Sequence, residues 1–216
     1  MRRFPAAGSR LASKEDSANG EDHRGNHDVS GRLHHRPGRW PGQGLGEGGE
    51  RLHYWVFGGP WSYENEPQVD PAGEDAEYLN EMTARVGAIV IGRNMYEAAG
   101  HWGDKNPFGV PVFVVTHRPE EEPETEEFNF VGDFEEAIDR AKEAAGDKAV
   151  SIGGGGDVIR QGLDAGIVDE LHIIVAPVIL GGGKHLFEAF TKSLDLENRG
   201  VRQSRWATFM EFAVKR

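Results

Sequence analysis

The chain has 216 residues, of which 38% are hydrophobic and 28% charged, with a net charge of −12. That length builds one ordinary domain with a tail and a sizeable core, and the acidic balance argues against a general binder of nucleic acid or anionic membrane. With no cysteine, disulfides, a thiol nucleophile and thiolate-bound metal are excluded.

The charge is unevenly spread. Residues 1–50 hold eight Lys/Arg and seven Asp/Glu, so the remaining 166 carry 16 against 29. The first 41 residues show neither a helical nor a strand period. His23, His27, His34 and His35 fall there among arginines and glycines, without the ligand spacing of a metal site. A segment of this composition buries too little to offset its ordering entropy, so residues 1–41 are expected to be a disordered tail and residues 42–216 the domain. No apolar run reaches the roughly 18 residues of a membrane span, and the N-terminus carries arginines without the apolar stretch of a secretory leader. A cytoplasmic protein is expected.

From Leu52 the pattern is globular. A short aromatic stretch at 53–57 leads into a turn-rich region at 58–74. Residues 74–85 form an amphipathic helix. Residues 87–92, Gly-Ala-Ile-Val-Ile-Gly, are a continuous β-branched run and therefore a buried strand. A short helix follows at 94–99, a second buried strand at 110–116, an acidic surface loop at 120–127 and a third strand at 128–131. Asp133 with Glu136 three residues on has capping-box spacing, and the helix it opens ends at Gly146. A fourth strand covers 149–152, a helix 157–165 and a fifth strand 170–175. Residues 203–214 hold one or two final strands. Strands alternating with helices predict an α/β fold with a largely parallel sheet and right-handed crossovers.

Three strand ends carry the functional signal, because ligands of open parallel sheets bind at the carboxyl ends of strands. Ser151-Ile-Gly-Gly-Gly-Gly-Asp157 is a strand, a glycine turn and a helix N-terminus. Backbone N–H groups and the helix dipole converge there on an anion, and a nucleotide is the simplest ligand. Gly92-Arg93 follows a second strand; the arginine either grips a phosphate or is a surface residue at a turn. Thr116 ends a third strand, as a hydroxyl donor to phosphate or as a cap. Gly181 to Gly183 form a weaker cluster that reads also as a tight turn. His101 and Trp102 lie near the Arg93 turn but read as packing, and His172 lies inside a strand.

Ile91-Gly-Arg-Asn-Met-Tyr-Glu97, Val115-Thr116, Gly153 to Gly156, and Asp169-Glu-Leu with Ala176-Pro-Val-Ile-Leu-Gly-Gly-Gly183 and Leu186-Phe187 together resemble the dihydrofolate-reductase-like superfamily. The nearest group is the C-terminal reductase domain of the bifunctional riboflavin-biosynthesis protein, and the resemblance spans residues 42–216. It implies a three-layer α/β/α fold with a mostly parallel central sheet, NADPH as hydride donor, a small heterocyclic substrate and a homodimer. It also implies that Arg93 contacts the adenosine 2′-phosphate, Thr116 a phosphate or ribose, and Gly153, Gly154, Gly155 and Gly156 the pyrophosphate, with Gly92 also cofactor-binding. No catalytic residue or metal ligand is assigned. A non-catalytic nucleotide-binding or dimerisation module is the alternative. A flavin-binding module fits less well, since it leaves Arg93 without a task.

The chain departs from that family twice. The glutamate that riboflavin reductases commonly carry before the glycine turn is matched by Gly153, and Glu77 and Glu81 read as well as a solvated helix face as a folate-type carboxylate. The family also opens on a core strand, Ser-Leu-Asp-Gly-Phe-Ile and a Gly-Pro-Asn/Asp-Asp-Gly loop, none of which is present. Back-translated and read one base later, Asn19 to Pro41 permits a start Met, a run of Ile/Thr and Met/Thr choices, and then Leu-Asp-Gly-Phe-Ile-Thr-Gly-Pro-Asp-Asp-Gly. The last glycine is forced by the single Trp codon of Trp40. Residues 1–41 are therefore expected to be an out-of-frame reading, joined to the true frame near residues 41–44. The lost piece would be an inner strand and part of the substrate loop, leaving a chain that is unstable or inactive.

Overall fold

The computed structural model describes residues 44–64, 68–121 and 125–215. The expectations for residues 1–41 thus lie outside the described residues. Among the described residues, no helix is long and apolar enough to cross a membrane.

In chain order the elements are α1 (Glu74–Arg85), β1 (Val86–Gly92), α2 (Arg93–Ala98), β2 (Val112–Val115), β3 (Asn129–Val131), α3 (Phe134–Ala145), β4 (Ala149–Gly154), α4 (Gly156–Asp164), β5 (Glu170–Val175), β6 (Leu196–Gln203) and β7 (Thr208–Val214). Four strands form a parallel sheet in the order β3-β2-β1-β4. The other three form an antiparallel sheet in the order β5-β7-β6. The α/β class and the parallel central sheet follow the sequence pattern.

β1 explains the layering. Alternate residues of a strand point to opposite faces, and both faces here are apolar. Ala88 and Val90 join Phe113, Val131 and the inner face of α3, namely Ala137, Ile138, Ala141 and Ala145. Ile91 joins Val112, Val114, Tyr96 of α2 and Phe128 on the other side. Each large apolar side chain so buried contributes about 1.5–3 kcal/mol. The caps of α3 are the ones its sequence announces: the Asp133 carboxylate accepts from the Glu136 N–H at 2.9 Å, and the Gly146 N–H donates to Lys142 O at 3.2 Å.

The antiparallel sheet has its own core. Tyr78 of α1 stacks on Phe209 of β7 at 4.1 Å between ring centroids, and Trp55 meets Phe209 edge-on at 5.3 Å. The two sheets are tied at their strand starts by Arg85 Nη2, which pairs with Glu170 Oε2 at 2.7 Å. The N-terminus of α1 lies by the end of β6, where Arg202 Nε meets Glu74 Oε1 at 3.7 Å. Val175 ends β5 opposite Thr208 of β7, so the β6–β7 turn lies at that end of its sheet.

The final strand region needs a correction. It holds two strands, and β6 begins at Leu196, ahead of the expected 203–214. Its sequence, Leu-Glu-Asn-Arg-Gly-Val-Arg-Gln, has little apolar signal. As an edge strand it is held by its ladder to β7 and presents charge to water.

Candidate functional site

The three strand ends singled out in the sequence lie side by side. β2, β1 and β4 are neighbours, with Gly92 in register with Val115 and Ile91 with Gly154. The chain leaves β1 through α2 on one face and β4 through α4 on the other, since Tyr96 and Val158 belong to opposite core layers. Such a reversal opens a crevice at the carboxyl ends of the strands.

Arg93 is the first residue of α2. Its Nη1 donates to Thr116 Oγ1 at 3.3 Å and its Nε to Glu97 Oε1 at 2.9 Å. Thr116 is 3% exposed. Its Oγ1 also accepts from the Arg118 N–H at 3.3 Å, and its own N–H donates to Val131 O at 3.0 Å. Thr116 therefore caps its turn and orients Arg93 at once, so both sequence readings of it meet in one side chain.

The glycine turn is shaped by need. Gly155 precedes α4 at φ 80°, the left-handed region. A Cβ on buried Gly154 would stand 2.0 Å from Met95 Sδ. Gly153 is exposed, and a Cβ there would stand 3.1 Å from Ile89 Cγ2. At the helix mouth Asp157 pairs with Arg160. Arg160 Nη1 donates in turn to Leu186 O at 2.8 Å, which draws the loop after Gly181–Gly183 to the same end of the fold.

His101 and Trp102 are packing residues, as expected. His101 stacks on Tyr96 at 4.4 Å, and Trp102 lies against Phe108 and Phe128. The residues His101, Trp102 and Asp104 have φ values of 57°, 50° and 59°; nothing in the structure explains that left-handed turn. His172 Nδ1 meets Tyr78 Oη at 3.1 Å and its Nε2 meets Glu170 Oε2 at 3.2 Å. Burial pushes the Tyr78 hydroxyl up to about 12, while the bond from Arg85 holds Glu170 below the usual carboxylate range. Glu77 and Glu81 are on the exposed face of α1, with Glu81 pairing with Arg202 at 2.9 Å.

Two residues gave no sign in the sequence. Asp75, in the first turn of α1, is 4% exposed, and its Oδ1 has no hydrogen-bond partner. Burial pushes its pKa up, opposed by a bond from Ser204. His53 has a buried Nδ1 without a partner, and burial lowers its pKa to about 4. An acid in a first helical turn and a histidine in an aromatic run are ordinary in sequence, so neither stood out. Among the described residues, no group of three or more potential metal ligands is present.

The stretch that carries these strand ends is matched by a protein family. Residues 59–206 match the RibD C-terminal domain. The chain belongs to the RibD C-terminal domain family. Every strand-end residue discussed above, from Gly92 to Gly156, falls inside the stretch matched to that domain. The chain is 26% identical over 133 residues to YwjB of Bacillus subtilis (strain 168), an uncharacterized protein, covering 61% of this chain and 75% of that one. Among solved structures it resembles a Shewanella sp. PV-4 protein named for riboflavin biosynthesis, with a TM-score of 0.55 and 24% identity over 69% of this chain and 84% of that one. At that identity the likeness speaks for the fold.

Proposed function

We propose that this RibD C-terminal domain is a reductase that uses NADPH to reduce a small heterocycle of the riboflavin pathway, with 5-amino-6-(5-phosphoribosylamino)uracil as the type substrate, and that it works as a cytoplasmic homodimer. The observation that carries the reading is the convergence of Arg93, Thr116 and the Gly153–Gly156 turn on three adjacent strand ends.

The residues fit the dinucleotide. NADPH differs from NADH by a 2′-phosphate, and a guanidinium at a strand end suits that group. Arg93 would hold the 2′-phosphate beside Gly92, and Thr116 would orient Arg93. Gly153 to Gly156 would let the backbone approach the pyrophosphate at the α4 N-terminus. Asp157 sits there too, and its pairing with Arg160 offsets the repulsion its carboxylate would exert. When bound, the nicotinamide supplies a hydride to an electron-poor C=N or C=O carbon. The protein's share is to bind, orient and exclude water, and positioning of this kind supplies much of the rate. No proton donor is assigned.

The test is consumption of NADPH in the presence of that uracil substrate, followed by loss of the reduced nicotinamide absorbance. Turnover that needs both compounds is expected. A folded chain that binds NADPH but turns over no pyrimidine supports the second reading, a nucleotide-binding or dimerisation module. One observation favours that second reading: no strand ladder joins the two sheets among the described residues.

A further inference from the structure

α2 runs from Arg93 to Ala98, and side chains that face inward fix its position. Tyr96 is buried against Phe128 and Phe130. Met95 fills the space beside Gly154, where a Cβ would stand 2.0 Å from its sulfur. The outer side of α2 carries an ion pair. Arg93 Nε donates to Glu97 Oε1 at 2.9 Å, four residues on.

Helix stability does not explain this pair. A helix favours acids in its first turn and bases in its last. At a spacing of four it favours the acid ahead of the base. α2 has neither an acid in its first turn nor a base in its last. Arg93 is its first residue and Glu97 its last but one, so both charges oppose the helix dipole and the pair runs in the less favourable order. With the two side chains 26% and 44% exposed, such a pair adds little to folding. Its effect falls on Arg93.

Two neighbours grip that guanidinium at different nitrogens. Thr116 Oγ1 accepts from Nη1 at 3.3 Å, and Glu97 accepts from Nε. Thr116 is neutral, buried and itself held by the Arg118 N–H. A hydroxyl aims the guanidinium; the Glu97 carboxylate aims it and also places a negative charge beside it. An anion bound by Arg93 stands within roughly 7 Å of that carboxylate, closer than the Debye length of about 8 Å at physiological salt. Glu97 therefore repels the ligand while directing the group that holds it.

We propose that Glu97 is a positioning residue that sets the strength of 2′-phosphate recognition. Its carboxylate fixes the direction of Arg93, and its charge keeps the grip loose enough for the spent nucleotide to leave. A reductase takes up NADPH and releases NADP⁺ on every cycle, and both carry the 2′-phosphate. This inference rests on the reductase reading, in which Arg93 meets that phosphate.

Equilibrium titration of NADPH and of NADH tests it, with the ratio of the two Kd values as the readout. The proteins are the unaltered chain, Glu97→Gln, Glu97→Asp and Arg93→Ala. Glutamine keeps an oxygen for Nε and loses the charge. Aspartate keeps the charge and is one methylene shorter, so it loses its hold. The NADPH Kd is expected to fall about 3- to 10-fold in Glu97→Gln and to rise about 3- to 10-fold in Glu97→Asp, with NADH changed less than about twofold in either. The gain in Glu97→Gln shrinks as salt is raised, because screening weakens a charge effect. A purely structural role moves both nucleotides alike, and partial unfolding cancels in the ratio. An unchanged ratio in Glu97→Gln therefore overturns the proposal, and so does a gain that salt leaves untouched. Failure of the reductase reading looks different and does not involve Glu97: the unaltered chain shows no preference for NADPH, or Arg93→Ala keeps that preference, and either result removes this inference as well.

Discussion

Arg93 joins two strands through one side chain. Its bond to Thr116 links the residues that follow β1 and β2, so its guanidinium is aimed before any ligand arrives. A charged hydrogen bond is worth about 1.5–3 kcal/mol, so Arg93→Ala is expected to weaken NADPH binding roughly 10- to 100-fold and NADH binding far less, by equilibrium titration. An equal loss for both nucleotides would remove Arg93 from the 2′-phosphate. Thr116→Val is expected to give part of the same loss by releasing Arg93. Gly155→Ala tests the turn: at φ 80° a side chain is strained, and a loss of about 1–2 kcal/mol in unfolding free energy is expected. His53 gives the pH response. Its folded pKa is lowered from 6.5 to about 4. Below pH about 6.5 the unfolded chain takes up a proton that the folded chain refuses. Stability therefore falls as pH drops through that window, by at most about 1.4 kcal/mol per pH unit from this residue. Melting of His53→Gln across the same range is expected to show a shallower slope.

At the scale of elements, α3 is specified most completely. Asp133→Ala is expected to cost about 1 kcal/mol in denaturant unfolding, the usual weight of an N-cap; no change would mean that the Glu136 N–H finds water as readily. The elements that were legible share one physical trait: their apolar residues repeat at the period of the structure. α1 and β5 fall on the ranges read from the sequence, and β1, α3 and α4 lie within a residue. β6 was hidden because an exposed edge strand takes its stability from backbone bonds, which leave no side-chain pattern. The same reason hid Asp75. Its hydrogen-bond partner is Ser204, 129 positions later in the chain, and no local spacing records such a contact. The alignment of Gly92, Arg93, Thr116 and Gly153 to Gly156 was legible, since parallel strands deliver their carboxyl ends to one side. That Thr116 holds Arg93 was not, because it depends on which strands are neighbours.

The described residues form two sheets with three core clusters, linked at one end by Arg85 and Glu170 and along one face by α4. The parallel sheet offers the proposed nucleotide-binding edge, and Asp75 is buried in the first turn of α1, which packs on the antiparallel sheet. Everything proposed for the reaction depends on NADPH binding at the strand ends. Thermal melting of the chain, as written and with residues 19–41 replaced by the one-base-shifted reading (the repaired chain), with NADPH and with NADH, probes that binding without requiring the substrate. A ligand at 100 times its Kd adds about 2.7 kcal/mol to stability. The repaired chain is expected to melt cooperatively, with a Tm that rises by several degrees with NADPH and by clearly less with NADH at the same concentration. A chain that melts cooperatively and shows no shift with NADPH would rule out the strand ends as its site.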